Sequence, residues 1–124
     1  MNIVYATSDN FVDILAVSLA SLYETNAHLK PRVWILSYGV TQANKVKLDQ
    51  LASQYGQAPI EWLEDMTLPA ELQSDRGSLS QFGRLFLGTI LPESVHQVLH
   101  LDGDTVIKGP LDQLVETPFD GAIV

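Results

Sequence analysis

The 124-residue chain has no cysteine, and only 7 lysines and arginines stand against 15 aspartates and glutamates. Without cysteine neither a disulfide framework nor a thiolate metal centre can form, and a reducing cytoplasm is the expected compartment. A net charge of −8 repels polyanions at long range, which argues against nucleic acid and anionic membrane as partners. A phosphate-bearing ligand would need local help from a metal ion or an arginine. No apolar run is long enough to span a bilayer, and the start Met1-Asn2-Ile3-Val4-Tyr5-Ala6 lacks the basic and long apolar regions of a signal peptide. Internal repeats, linkers and low-complexity tracts are also missing. What is present is 46% hydrophobic residues with mixed charge, which suits a globular core. Residues 1–124 are therefore expected to form a single domain.

Strand and helix patterns alternate along the chain. Asn2 to Ala6 reads as a buried strand with Ile3, Val4 and Tyr5 at its centre. Thr7-Ser8-Asp9-Asn10 offers four candidate N-caps for a helix running to about Thr25. Phe11, Ile14, Leu15, Ser18, Leu19 and Leu22 form its expected inner stripe, and Asp13 suits its positive end. Pro31 opens a second strand, Arg32 to Ser37, which Tyr38-Gly39 closes. A helix from Thr41 sets Asn44, Leu48, Leu51, Ala52 and Tyr55 on one side and ends at Gly56. Ile60 to Leu63 is a third strand, and Glu64 to Leu79 is the longest expected loop. A third helix, Ser80 to Leu91, stacks Phe82, Leu85, Phe86, Thr89 and Ile90 before Pro92 stops it. Gln97 to Leu101 is the fourth strand, Leu111 to Val115 a short helix, and Ala122 to Val124 the opening of another strand. This order predicts an α/β architecture, a mostly parallel sheet with helices on both faces. Most domains finish on polar, frayed residues, so the apolar ending leads us to expect the front part of a longer protein.

The most informative segment is Leu99-His100-Leu101-Asp102-Gly103-Asp104-Thr105. If the chain stays extended, strand alternation turns Asp102 and Asp104 into the same small volume. Two carboxylates that close repel, and a hard divalent cation such as Mn²⁺ or Mg²⁺ relieves the repulsion while leaving positions for phosphate oxygens. Gly103 between them permits close approach. Asp-Gly is also common turn chemistry, with glycine supplying positive φ. The flanking apolar segments, Val95 to Leu101 and Val106-Ile107, favour a ligand site, because ligands bind at the carboxyl ends of strands in open α/β sheets.

Three ordered blocks carry a family resemblance: Ile3-Val4-Tyr5-Ala6-Thr7-Ser8-Asp9-Asn10-Phe11, Ser80-Gln81-Phe82-Gly83-Arg84-Leu85, and the acidic segment. Over nearly its whole length the chain resembles glycosyltransferase family 8, which includes glycogenin and bacterial lipopolysaccharide galactosyl- and glucosyltransferases. The resemblance implies a GT-A (Rossmann-like) nucleotide-diphospho-sugar transferase fold, incomplete at its C-terminus, with residues 1–124 as the N-terminal nucleotide-sugar-binding part. It also implies a UDP-glucose or UDP-galactose donor, Mn²⁺ or Mg²⁺, a carbohydrate or glycoconjugate acceptor, and transfer with retention at the anomeric carbon. Asp102 and Asp104 fall on the family's metal-binding pair and Gly103 on its middle residue. Ala6, Thr7, Ser8 and Asn10 fall on the nucleotide loop. Many members carry aspartate where Ser8 stands, so either this serine or neighbouring Asp9 meets the base. Phe11 matches an aromatic position that stacks on uracil, with core packing as the competing role. Arg84 falls on an arginine that reaches the donor diphosphate or sugar, and Phe82 stands where tyrosine is frequent. Family members complete the metal site with a histidine farther along than Val124, where acceptor residues also lie. Residues 1–124 alone are then expected to bind donor without completing transfer. Of His28, His96 and His100, the last could share a face with the acidic pair by alternation, but a strand histidine is expected to be simply packed or exposed rather than a ligand. The implied setting is cytoplasmic, with any contact to the inner membrane face made by other segments.

Two rival readings remain. Asp102-Gly103-Asp104-Thr105-Val106 also fits the nucleophile motif of haloacid-dehalogenase-like phosphatases, with Asp102 attacking phosphorus. That motif normally follows the first strand of its domain, whereas about a hundred residues precede it here. A calcium loop fails, because Val106 and Gln113 would occupy positions that require oxygen ligands. A non-catalytic module that binds nucleotide sugars is the second rival, separable by its lack of UDP-sugar hydrolysis.

Overall fold

A computed structural model describes residues 1–64 and 97–116. Most of the loop expected at 64–79, the helix at 80–91 with Arg84, and the strand opening at 122–124 lie outside the described residues. Strand β1 (Asn2–Ser8) leads through a 3-10 turn (Asp9–Phe11) into α1 (Val12–Asn26). Then follow β2 (Arg32–Tyr38), α2 (Gln42–Gln54), β3 (Glu61–Leu63), β4 (Leu99–His100) and α3 (Asp112–Glu116). The described strands form one parallel sheet in the order β3-β2-β1-β4. Ile3 lies opposite both Val33 and Leu99, and Val4 opposite both Trp34 and His100.

β1 is central because Ile3-Val4-Tyr5 is apolar without alternation, as a strand covered on both faces must be, and all three are fully buried. Ile3, Tyr5, Val33 and Ile35 pack against Val12, Leu15, Leu19, Leu22 and Tyr23 of α1 and Leu48 and Ala52 of α2. Each such leucine contributes roughly 1.5–3 kcal/mol by leaving water. The opposite face carries a smaller buried cluster of Val4, Trp34 and Leu36. Both long described helices lie on the first face. The helix expected at 80–91, and with it any second layer, falls outside the described residues.

Two expectations about α1 need correction. Its inner stripe runs through Val12, Leu15, Ser18, Leu19, Leu22, Tyr23 and Asn26, whereas Phe11 and Ile14 are 45% and 48% exposed. The 3-10 turn delays the helix to Val12 and keeps Phe11 out of it. The expected caps at Thr7 to Asn10 also fail, since neither the turn nor α1 receives a side-chain capping bond. In α2 the cap is present, with the Asn44 N–H donating to the Thr41 hydroxyl at 3.4 Å, and Gly56 at φ 68° terminates the helix.

The chain beyond β4 is laid along α1. The Leu101 N–H donates to the Val4 carbonyl at 2.9 Å, extending the sheet ladder by one residue. Gly103 then rests on the Leu15 side chain, and the Ile107 N–H donates to Ser21 Oγ at 2.8 Å. The buried Asn26 amide donates to the Gly109 carbonyl at 3.2 Å and accepts from the Leu111 N–H at 2.6 Å. Ser18, Ser21 and Asn26 thus share a polar seam on a mainly apolar helix, and α3 is pinned beyond it by Asp112 against His28 at 2.9 Å.

Candidate functional site

The chain lays β2 and β3 successively to one side of β1 and then places β4 on the other. Strand order reverses between β1 and β4, and in open parallel sheets this switch point opens a crevice at the carboxyl ends. Two segments leave the sheet there: the loop after Ser8 and the turn after Leu101. Asn10, Phe11, Asp102, Gly103 and Asp104 lie in these two segments, whereas Ala6, Thr7 and Ser8, expected in the loop, are the last three residues of β1.

The acidic segment is a turn, not a continued strand. The Thr105 N–H donates to the Asp102 carbonyl at 3.2 Å and the Thr105 hydroxyl donates to the same oxygen at 2.7 Å. Extended alternation therefore does not align the two acids. They are both exposed because Gly103 and Thr105 face α1. Gly103 does not have the positive φ expected of a plain Asp-Gly turn, which Gly39 and Gly56 do have. A Cβ at Gly103 would meet Leu15 Cδ1 at 3.4 Å, the edge of ordinary contact, so the turn lies against the helix without its packing demanding a glycine.

Two exposed carboxylates flanking one glycine offer hard oxygen donors, a set that suits Mg²⁺ or Mn²⁺. Among the described residues no group of three or more histidine, cysteine, aspartate or glutamate side chains could hold a metal ion, so His100 does not join the pair. His28 is engaged with Asp112, and His96 lies outside the described residues.

On the β1 side, Ala6 is half-buried in the strand, and Thr7 is buried with its hydroxyl donating to the Ser8 carbonyl at 2.9 Å. Ser8 ends the strand opposite Tyr38. Asn10 and Phe11 are exposed, which removes the core-packing role for Phe11 and leaves its ring accessible beside the strand end. Asp9 faces α2. Its Oδ1 accepts from the Thr41 N–H at 2.9 Å, the Thr41 hydroxyl at 3.0 Å and Asn44 Nδ2 at 2.8 Å. These donors, the Thr41 backbone N–H foremost, lower the Asp9 pKa below its ordinary value. Asp9 is thereby a clasp between the loop and α2, which weakens the idea that it replaces Ser8 at a base.

Sequence reasoning missed Ser18, Ser21, Asn26 and Thr105 as supports of the acidic turn. One signal was available: a serine within a leucine stripe must find a partner, because an unpaired buried hydroxyl is costly. Of its two partners, Tyr5 lies on β1 and Thr105 lies 87 residues away in sequence, beyond the reach of any local pattern. The phosphatase reading gains no support, because Asp102 follows β4 at the switch point rather than a first strand.

Comparison with known proteins agrees with this arrangement. The family model for glycosyl transferase family 8 matches residues 2–124. Lipopolysaccharide 1,2-glucosyltransferase of Escherichia coli K12 is 27% identical over 128 residues, an alignment spanning 99% of this chain and 37% of that protein. Lipopolysaccharide 1,3-galactosyltransferase of Salmonella typhimurium LT2 is 24% identical over 119 residues, spanning 95% and 35%. The chain thus spans little more than a third of the length of these curated relatives. Among solved structures, the galactosyltransferase LgtC in complex with donor and acceptor sugar analogues superposes with a TM-score of 0.79 at 24% identity, covering 96% of this chain and 43% of LgtC. The apo-form glycosyltransferase GlyE of Streptococcus pneumoniae TIGR4 gives 0.67 at 19% identity, covering 94% and 26%. These superpositions establish the GT-A fold. Among the described residues no helix is long and apolar enough to cross a membrane.

Proposed function

The chain belongs to glycosyl transferase family 8, and from that membership we propose that residues 1–124 form the donor-binding part of a retaining hexosyltransferase. The donor is UDP-glucose or UDP-galactose and the acceptor a saccharide or glycoconjugate. The names of the matched relatives, glucosyl- and galactosyltransferases acting on lipopolysaccharide, support a hexose. The observation that carries the reading is the strand order, which brings the loop after β1 and the acidic turn after β4 to one switch point.

In this reading Ala6, Thr7, Ser8 and Asn10 meet the uridine through backbone and short polar side chains, and Phe11 offers its exposed ring to the base. Ser8 can donate or accept one hydrogen bond at the base edge. Asp102 and Asp104 hold Mn²⁺ or Mg²⁺ with the donor diphosphate, and Gly103 between them lies against α1. When bound, the ion neutralises charge on the departing nucleotide. Arg84 reaches the diphosphate or sugar from the family's arginine position. Its positive charge is the one an acidic chain needs beside phosphate.

Calorimetric titration of UDP-sugars with and without Mn²⁺ tests the proposal. Metal-dependent affinity for UDP-glucose or UDP-galactose is expected in the parent. A loss of about a hundredfold or more is expected in Asp102→Asn and Asp104→Asn, since even indirect supports of a metal are worth about 10–100-fold. Unchanged affinity in either variant would sink the assignment of the pair. Binding with neither hydrolysis nor transfer would leave a nucleotide-sugar-binding module.

A further inference from the structure

A row of hydroxyl groups runs from the sheet core to the acidic turn. Ser18 is fully buried on α1. Its Oγ lies 2.9 Å from the Tyr5 phenol oxygen on β1 and 3.3 Å from Thr105 Oγ1. Thr105 Oγ1 in turn donates to the Asp102 carbonyl at 2.7 Å. A hydroxyl has a single proton to donate, and this fixes the sense of the row. Thr105 directs its proton to the Asp102 carbonyl, so it must accept from Ser18, and Ser18 must accept from Tyr5. Burial pushes the Tyr5 pKa up to about 12, so the phenol keeps the proton this order requires. Each donor strengthens the next along such a row.

We infer that Ser18 and Thr105 are positioning residues for the acidic turn, setting where Asp102 and Asp104 sit above the sheet rim through the row Tyr5–Ser18–Thr105–Asp102 carbonyl. The consequence for metal binding rests on the proposed role of the acidic pair; the consequence for the turn does not. Neither hydroxyl needs to touch ligand. The backbone bond from the Thr105 N–H to Asp102 survives loss of the row, so the turn should persist but wander.

Two readouts on the full chain test this. The first is amide hydrogen exchange across 102–107 without metal. The second is Mn²⁺ affinity in the presence of UDP, followed by the electron paramagnetic resonance signal of free Mn²⁺. Ser18→Ala and Thr105→Val should speed exchange in the turn and weaken Mn²⁺ binding about tenfold, the lower range for supports of a metal site. Tyr5→Phe should act in the same direction with smaller effect, and Thr105→Ser should restore both readouts. Ser37→Ala serves as the stability control. It removes a buried hydroxyl that accepts from the Val40 N–H at 3.2 Å, and should lower the melting temperature without moving Mn²⁺ affinity. Unchanged exchange in Ser18→Ala and Thr105→Val overturns the inference, as does Mn²⁺ affinity that falls equally in Ser37→Ala. Should the parent not bind Mn²⁺ with UDP, the functional proposal falls, and the exchange rates alone decide whether the hydroxyl row fixes the turn. If Ser18→Ala does not fold, the partly exposed Thr105→Val carries the test.

Discussion

The two segments that leave the sheet at the switch point are anchored by different means. The loop after β1 follows a seven-residue strand paired on both sides, and a single carboxylate, Asp9, clasps it to α2. The turn after β4 follows a two-residue strand and depends on a series of side chains along α1: Leu15, Ser18, Ser21 and Asn26. A long ladder fixes its exit mostly by backbone and needs one side-chain clasp. A short one must borrow side chains from a neighbouring helix. Changes on α1 should therefore be felt at the acidic pair, while changes at Asp9 should be felt in the loop after β1.

The sharpest way to break this contrast is to cut the seam at Asn26, which is fully buried and holds two backbone groups. Asn26→Ala removes the partners of the Gly109 carbonyl and the Leu111 N–H and should lower stability by about 2–3 kcal/mol in urea unfolding, since buried polar groups left unpaired bear the full desolvation penalty. Asp9→Ala, at a half-exposed site, should be clearly milder. Equal losses would mean that the two segments are anchored alike.

Acid offers a second, smaller probe of the clasp. The folded Asp9 pKa lies below its ordinary value of 3.8, so the unfolded chain takes up the proton first as pH falls. The stabilisation is complete above the ordinary value and is lost as pH drops through the folded value. Asp9→Asn should flatten this acid limb in a pH series of melting temperatures without affecting the region above about pH 5, where an ordinary aspartate is ionised. An unchanged acid limb would dissolve the clasp.

The smallest effect is expected at Gly103. Its φ is not positive and an added Cβ would sit at the edge of ordinary contact with Leu15. Gly103→Ala should thus change stability by no more than about 0.5 kcal/mol. A much larger loss would show that the turn packs on α1 with less tolerance than the contact implies.

Much of the architecture was legible from short-range pattern. The unbroken apolar runs at Ile3 to Tyr5 and Val33 to Leu36 announced buried parallel strands, and the boundaries of α1, α2 and α3 fell within a residue or two of expectation. Gly56 ended α2 as a left-handed glycine should. The acidic pair was also readable, because two aspartates around a glycine after an apolar strand are conspicuous. Illegible were the turn at 102–105, the exposure of Phe11 and Ile14, the failure of the local caps on α1 and the recruitment of Asp9 by α2. All four depend on which surface meets which. A 3-10 turn of three residues keeps Phe11 out of α1, and the buried stripe retains Leu15, Ser18, Leu19 and Leu22 while taking Val12, Tyr23 and Asn26 in place of Phe11 and Ile14.

The order of apolar and polar residues determined by itself that β-strands alternate with helices, that the strands are covered on both faces, and that carboxylates gather after the fourth strand, because helical period, unbroken apolar runs and the position of the aspartates are all read within one segment. Only the tertiary structure decided that β4 pairs with β1 rather than β3, and that Ser18 meets Thr105 across 87 positions. Those choices are made by burial and hydrogen-bond satisfaction between distant segments, which no local period encodes.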